Sequence, residues 1–285
     1  GVLVGSEGTL AVVTKVTLRL VRRPEAVQTL LAAFDSTDAA GNAVSEIISA
    51  GIIPAAIEMM DRTTIRAAEA AVHPGFPDAE AVLIVELDGP QSEVAALFAQ
   101  VEAVCVRNDG WGLQVARDEA QRGRIWMGRK AAFAAMGRIA PNYYVQDGVI
   151  PRSKLPEVLR RIRQLEIESG LTIGNVFHAG DGNLHPLVCY DDAVDGQADL
   201  AEQVATQILT YCLDVGGSLT GEHGIGADKA CHMPKMFTAE DLETMQFVRA
   251  SFDPGQLCNP GKLFPPPRLC GEVPGPYRAH PTEIA

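Results

Sequence analysis

Apolar and polar positions alternate in short runs along this chain, and most of these runs precede a longer stretch with apolar residues three and four apart. The first pattern predicts strands and the second helices. Strand-like runs fall at TLLAAF (29–34), AAIEMM (55–60), AVLIVELDG (81–89), GLQVAR (112–117) and YYVQDGVIP (143–151). TIGNVFH (172–178) and LHPLVCY (184–190) read as two adjacent strands joined by a glycine-rich turn. Helical stretches are expected at 36–50, 61–72, 92–107, 118–135, 153–169, 197–215, 227–233 and 238–251. Asp35-Ser36 is a cap candidate and Gly216-Gly217 a stop signal. Strands interleaved with helices predict an α+β or α/β layer. The spacing lacks the regularity of a doubly wound nucleotide fold, and no G-x-G-x-x-G follows a strand.

The opening stretch is different. AVVTKVTLRLV alternates over Val12–Val21 as a strand would, but little precedes it that could supply a neighbour. The chain is therefore expected to be a piece of a longer protein. At the other end, FPPPR (264–268) and the residues after it read as extended chain.

At 285 residues and 47% hydrophobic, the chain can bury a substantial core. A net charge of -12 and an isoelectric point near 4.9 argue against binding a nucleic-acid backbone. The six cysteines include no C-x-x-C pair and read as reduced thiols rather than a disulfide frame or an iron–sulfur site. No signal peptide and no apolar run long enough for a bilayer is visible.

Two of the six histidines, His178 and His185, flank the turn Ala-Gly-Asp-Gly-Asn in FHAGDGNLHP. Such a turn can bring both imidazoles to one side, where they suit a divalent transition metal. Glu222 in GGSLTGEHGIG is the candidate third ligand, on a loop whose glycines permit close approach. Three protein ligands with an open position make a catalytic rather than a structural site. The same residues also fit buried, hydrogen-bonded histidines around an ordinary turn. His223, beside Glu222, is a candidate general base. Arg129, in RIWMGRKAAF, can clamp a carboxylate through two parallel bonds, or belong to a solvated basic face. Glu58 and Asp61 read as a structural strand-to-helix junction.

Four stretches in fixed order, VGSEGTLAVVTKVTLRL, NVFHAGDGNLHPLVCYD, GGSLTGEHGIGADK and FDPGQLCNPGKLF, resemble the FAD-linked 2-hydroxy-acid dehydrogenases of the vanillyl-alcohol-oxidase-like flavoproteins. This family includes D-lactate and D-2-hydroxyglutarate dehydrogenases and the FAD-linked D subunit of bacterial glycolate oxidase, the branch resembled most. The resemblance runs from Gly1 to about Glu272. It implies an α+β fold: a ferredoxin-like substrate-binding cap over 23–250, preceded at 1–22 by the end of a truncated FAD domain. A closing segment, 251–285, would return to the flavin.

The resemblance further implies His178, His185 and Glu222 as ligands of a Zn, Mn or Fe ion, His223 as the active-site base, and Arg129 near the substrate carboxylate. Gly5, Ser6, Gly8, Thr9 and Asn259 would lie against FAD, held weakly or not at all by this piece alone. Pro186-Leu187 replaces a stretch that carries a polar residue in the hydroxyglutarate branch, which favours a small monocarboxylate such as glycolate or D-lactate. Implied partners are the other glycolate oxidase subunits, among them an iron–sulfur electron acceptor. The location would be cytoplasmic, with partner subunits able to hold the protein at the inner membrane. A metal-dependent hydrolase using the same His/His/Glu set, and a non-catalytic module, are the alternatives.

Overall fold

The computed structural model describes residues 1–265, so the tail beyond Pro265, including most of FPPPR, lies outside the described residues. Contacts divide the described chain into two compact units, Arg22–Gly217 and a second made of Gly1–Val21 with the chain from Ser218 onward. Residues 218–250, which the resemblance implies as part of the cap, fall in the second unit by contacts.

The larger unit holds seven strands and six helices. In chain order they are β1 (Ala26–Phe34), α1 (Thr37–Ser49), β2 (Ala56–Asp61), α2 (Arg62–Val72), β3 (Ala81–Gly89), α3 (Gln91–Arg107), β4 (Trp111–Val115), α4 (Glu119–Ala135), β5 (Asn142–Val145), α5 (Leu155–Ser169), β6 (Ile173–His178), β7 (Pro186–Tyr190) and α6 (Gln197–Asp214). The helices start where side chains satisfy the first amides. Ser36 caps α1, Asp61 caps α2 and Asp118 caps α4. Gly170 ends α5 in the left-handed conformation.

The strands form one sheet in the order β4-β1-β3-β2-β6-β7-β5, antiparallel at every pairing. The first four, with α1 and α3, make a β-α-β-β-α-β unit of order 4-1-3-2, the ferredoxin-like arrangement. α2 is inserted between its two middle strands. β5-α5-β6-β7-α6 repeats the pattern, but among the described residues this half ends at its second helix with no fourth strand. Equivalent strands β2 and β6 join the halves, with Glu58 opposite His178 and Met60 opposite Val176.

Both faces of the sheet are covered, which is why β3 reads as a nearly continuous apolar run. On one face Leu83, Val85 and Phe177 pack with residues of α1, α3, α5 and α6. On the other Val82, Ile84, Met60 and Val176 pack with residues of α2 and α4. Because side chains alternate along a strand, Glu58 and His178 share the second face with Met60 and Val176, under α2 and α4.

The smaller unit carries α7 (Met233–Met236) and α8 (Ala239–Phe252), the latter opened by a capping box between Thr238 and Asp241. The alternating run 12–21 forms no strand here, and Val12, Leu18 and Leu20 are exposed. A strand needs a neighbour for its backbone groups, and within the described unit the segment has none. Cys105, Cys189, Cys212 and Cys258 are free thiols, as expected. Among the described residues no helix is long and apolar enough to cross a membrane.

Candidate active site

The two histidines stand at the junction of the two halves of the larger unit. His178 ends β6, and His185 immediately precedes β7. The turn between them is pinned from several sides. The amide of His178 donates to the Asn183 carbonyl at 3.1 Å, that of Leu184 to Gly148 at 2.9 Å, and that of Ile150 to Gly182 at 2.9 Å. Gly182 has φ of +75°, and a Cβ there would lie 2.2 Å from the Ile150 carbonyl oxygen, so only glycine lets the two segments close. The imidazoles meet edge to face, centroids 5.4 Å apart and planes at 86°.

Each ring is oriented through Nδ1. In His178, Nδ1 lies 2.8 Å from Glu58 Oε1, the residue opposite it on β2. In His185, Nδ1 lies 3.3 Å from the carbonyl oxygen of Gln146. A carboxylate paired with arginine and a carbonyl both accept, so Nδ1 carries the proton in both rings, and in the neutral imidazole the lone pair falls on Nε2. That is the tautomer in which imidazole ligates a metal, with the other nitrogen tied to an acceptor. The donor set therefore fits a divalent transition ion.

Arg129, on α4, is buried and directs Nε and Nη2 to Glu58 Oε2, each at 2.9 Å. Its guanidinium also lies 5.9 Å from the centre of the Phe133 ring, which meets His185 edge-on at 5.8 Å. The solvated basic face considered from sequence does not describe it. One edge of its fork is committed to Glu58. Glu58, which from sequence reads as part of a structural junction, is thus a further residue of this site. A carboxylate within an otherwise apolar strand, IEMM, was the available signal.

The smaller unit presents Glu222 and His223 on a loop that its own hydrogen bonds hold. The Gly224 amide donates to Thr220 Oγ1 at 2.8 Å. The amides of Ile225 and Gly226 donate to the two carboxylate oxygens of Glu7, both at 2.7 Å. Gly224 has φ of +86°, and a Cβ there would come within 2.8 Å of the Glu7 carboxyl carbon. The Glu222 and His223 side chains are about half exposed, with Oε1 and Nε2 3.7 Å apart.

Of the expected flavin contacts, Ser6 and Thr9 donate their hydroxyls within the turn, to Leu3 O at 2.9 Å and Ser6 O at 2.7 Å. Asn259 donates its amide to Glu7 O at 2.6 Å. Gly5 and Gly8 adopt left-handed conformations and are exposed. For FAD this cluster therefore offers exposed glycine backbone rather than uncommitted hydroxyls.

Residues 23–263 match the family described as FAD linked oxidases, C-terminal domain. The chain is 48% identical over 269 residues to the glycolate oxidase subunit GlcD of Escherichia coli K12, covering 94% of this chain and 54% of that protein. It is 31% identical over 267 residues to the mitochondrial D-lactate dehydrogenase [cytochrome] of Arabidopsis thaliana, covering 93% and 47%. The chain spans about half the length of the curated relatives it matches. Among solved structures, the 4-ethylphenol oxidase of Gulosibacter chungangensis shares the fold, with a TM-score of 0.64 at 15% identity over 87% of this chain and 56% of that one. An antiparallel ferredoxin-like sheet, a paired-histidine turn at its centre and a family match over most of the length lead to one assignment: the chain belongs to the FAD linked oxidases, of which it carries the C-terminal domain.

Proposed function

We propose that this chain is the substrate- and metal-binding part of an FAD-dependent oxidoreductase that oxidises a small D-2-hydroxy acid, glycolate or D-lactate, to the 2-oxo acid. The observation that carries the reading is the pair of imidazoles whose Nδ1 atoms both meet acceptors, which puts both lone pairs on Nε2. The names of the relatives, a glycolate oxidase subunit and a D-lactate dehydrogenase, support the substrate class.

In this reading His178, His185 and Glu222 hold a divalent ion, with Glu222 assigned from the sequence motif. When bound, the ion would supply a Lewis acid for the substrate oxygens, and the flavin would supply the hydride-accepting chemistry. His223 takes the substrate hydroxyl proton on its imidazole. Arg129 meets the substrate carboxylate with the part of its guanidinium not committed to Glu58. Gly5, Ser6, Gly8, Thr9 and Asn259 shape the loop that lies against FAD. The GlcD relatives are named as subunits, and by the same reading this protein works with partner subunits, one of them an iron–sulfur electron acceptor.

The deciding experiment uses the full-length protein. His223→Asn should retain metal and lower kcat and kcat/KM together by about 10²–10⁴-fold, the range for loss of a general base. Glu222→Gln should instead weaken metal retention. Metal loss in His223→Asn with retention in Glu222→Gln would reverse the two roles. Stoichiometric FAD on the purified 285-residue chain would overturn the placing of the main flavin contacts outside it.

A further inference from the structure

Five side chains of the larger unit close into a circuit. Arg129 meets Glu58 at 2.9 Å, Glu58 meets His178 at 2.8 Å, and the rings of His178, His185 and Phe133 follow at centroid distances of 5.4 and 5.8 Å. Arg129 lies 5.9 Å from the Phe133 ring, which completes it. Three elements contribute: β2, the β6–β7 turn region, and α4.

Glu58 is only 6% exposed and Arg129 7%, so bulk water has little access to either. The two carboxylate oxygens divide their work. Oε2 accepts both bonds from Arg129, and Oε1 faces His178 Nδ1. A carboxylate gripped by one oxygen cannot swing away from the histidine without breaking the ion pair. The antiparallel register sets Glu58 against His178 as directly opposed residues, so the backbone fixes the distance as well.

We infer that Glu58 is a positioning residue, anchored by Arg129, that holds His178 in the Nδ1–H tautomer and aims Nε2 at the ligand. Arg129 acts here through Glu58 and not only by facing substrate. The metal reading proposed above determines what Nε2 binds; the tautomer assignment does not depend on it.

Free imidazole side chains favour the proton on Nε2, so enforcing the opposite form leaves a spectroscopic mark. Long-range proton–nitrogen NMR of the intact, chelator-treated protein with 15N-labelled histidine should show His178 protonated on Nδ1, assigned by the peaks that vanish in His178→Gln. Glu58→Leu leaves the Arg129 cation buried and can fail to fold. The paired variant Glu58→Leu/Arg129→Met removes both charges and serves instead. In it, His178 should revert towards the Nε2–H form while His185, whose Nδ1 faces a backbone carbonyl, keeps its own. Zn²⁺ affinity, measured by competition titration, should fall by about 10–100-fold, the cost of losing an outer partner of a ligating histidine. An Nε2–H tautomer in the parent protein, or an unchanged tautomer in the paired variant, overturns the inference. If the tautomer reverts but the parent protein binds no Zn²⁺, Glu58 keeps its role and the metal reading fails instead.

Discussion

Helix α4 covers two buried glutamates on the same face of one sheet, and they are built alike up to a point. Glu86, on β3, takes two bonds from Arg122 at 2.8 Å each. Glu58, on the neighbouring strand β2, takes two from Arg129 at 2.9 Å each. The other partners differ. Glu86 is closed off by the Thr29 hydroxyl and the Trp126 indole, both at 2.7 Å. Neither can ligate a metal as imidazole does, or shuttle a proton near neutrality. Burial pushes the Glu86 carboxyl up, but the bonds from Arg122, Thr29 and Trp126 outweigh it and hold the group below its usual range. Glu58 turns its second oxygen to a histidine. The first arrangement locks a helix onto a sheet. The second uses the same arginine–glutamate pair to orient a ring. A buried ion pair therefore signals function by what its remaining oxygen touches, not by the pair itself.

The largest test of that contrast is Arg129→Met. It leaves the Glu58 carboxylate buried beside one histidine, and breaking a buried pair in this way costs about 3–5 kcal/mol. Denaturant unfolding should show that loss together with weakened metal retention. If stability fell by less than in Arg122→Met, the Glu58 pair would not be the more deeply buried anchor that its 9% and 7% side-chain exposures indicate.

Much of this arrangement was legible in the sequence. The seven strands were visible because each is a short apolar or alternating run bounded by turns, and the helices because their apolar residues recur three and four apart; of the caps, only the one at Asp35-Ser36 is read from sequence, and Ser36 opens α1. The histidine pair was legible because its turn is local. Glu58 was not, because its partners lie 71 and 120 positions away and strand register leaves no mark in a single chain. Arg129 could be placed on a helix, but its choice of Glu58 over solvent depends on which face of the sheet α4 covers. The run 12–21 failed in the opposite sense: its period is that of a strand, but a period does not supply the neighbouring backbone that makes one.

A third carboxylate, half-buried at the end of β2, sharpens the comparison because no arginine grips it. Asp61 accepts from the Thr64 amide and hydroxyl and from the Asn175 amide and side chain, all at 2.8–2.9 Å. Burial nonetheless pushes its carboxyl up to about 6. The folded state thus holds this proton more tightly than the unfolded chain, where an aspartate titrates near about 3.9. Its contribution to stability is full below about pH 4 and is lost as pH rises through about 6. A shift of that size corresponds to about 3 kcal/mol. Unfolding free energies measured from pH 4 to 7 should fall less steeply in Asp61→Asn than in the parent. An identical slope would mean that the four donors, not burial, set the charge of Asp61.

The smallest expected effect comes from Arg122→Met, which strips the cation from the closed cluster. The Arg122 side chain is 32% exposed against 9% for Arg129, so solvent reaches the vacated space more easily. Glu86 also keeps the Thr29 and Trp126 donors. The loss should therefore be that of hydrogen bonds to a charged group, about 1.5–3 kcal/mol, rather than that of an abandoned buried charge. Glu86 stands on β3, one strand removed from the β2–β6 pairing that seats His178, so metal affinity and kcat in the full-length protein should stay at parent values while the denaturation midpoint falls. Matched stability losses in Arg122→Met and Arg129→Met would erase the energetic half of the comparison. A fall in metal affinity in Arg122→Met would erase the functional half, because α4 would then couple the two glutamates as one network rather than covering two separate ones.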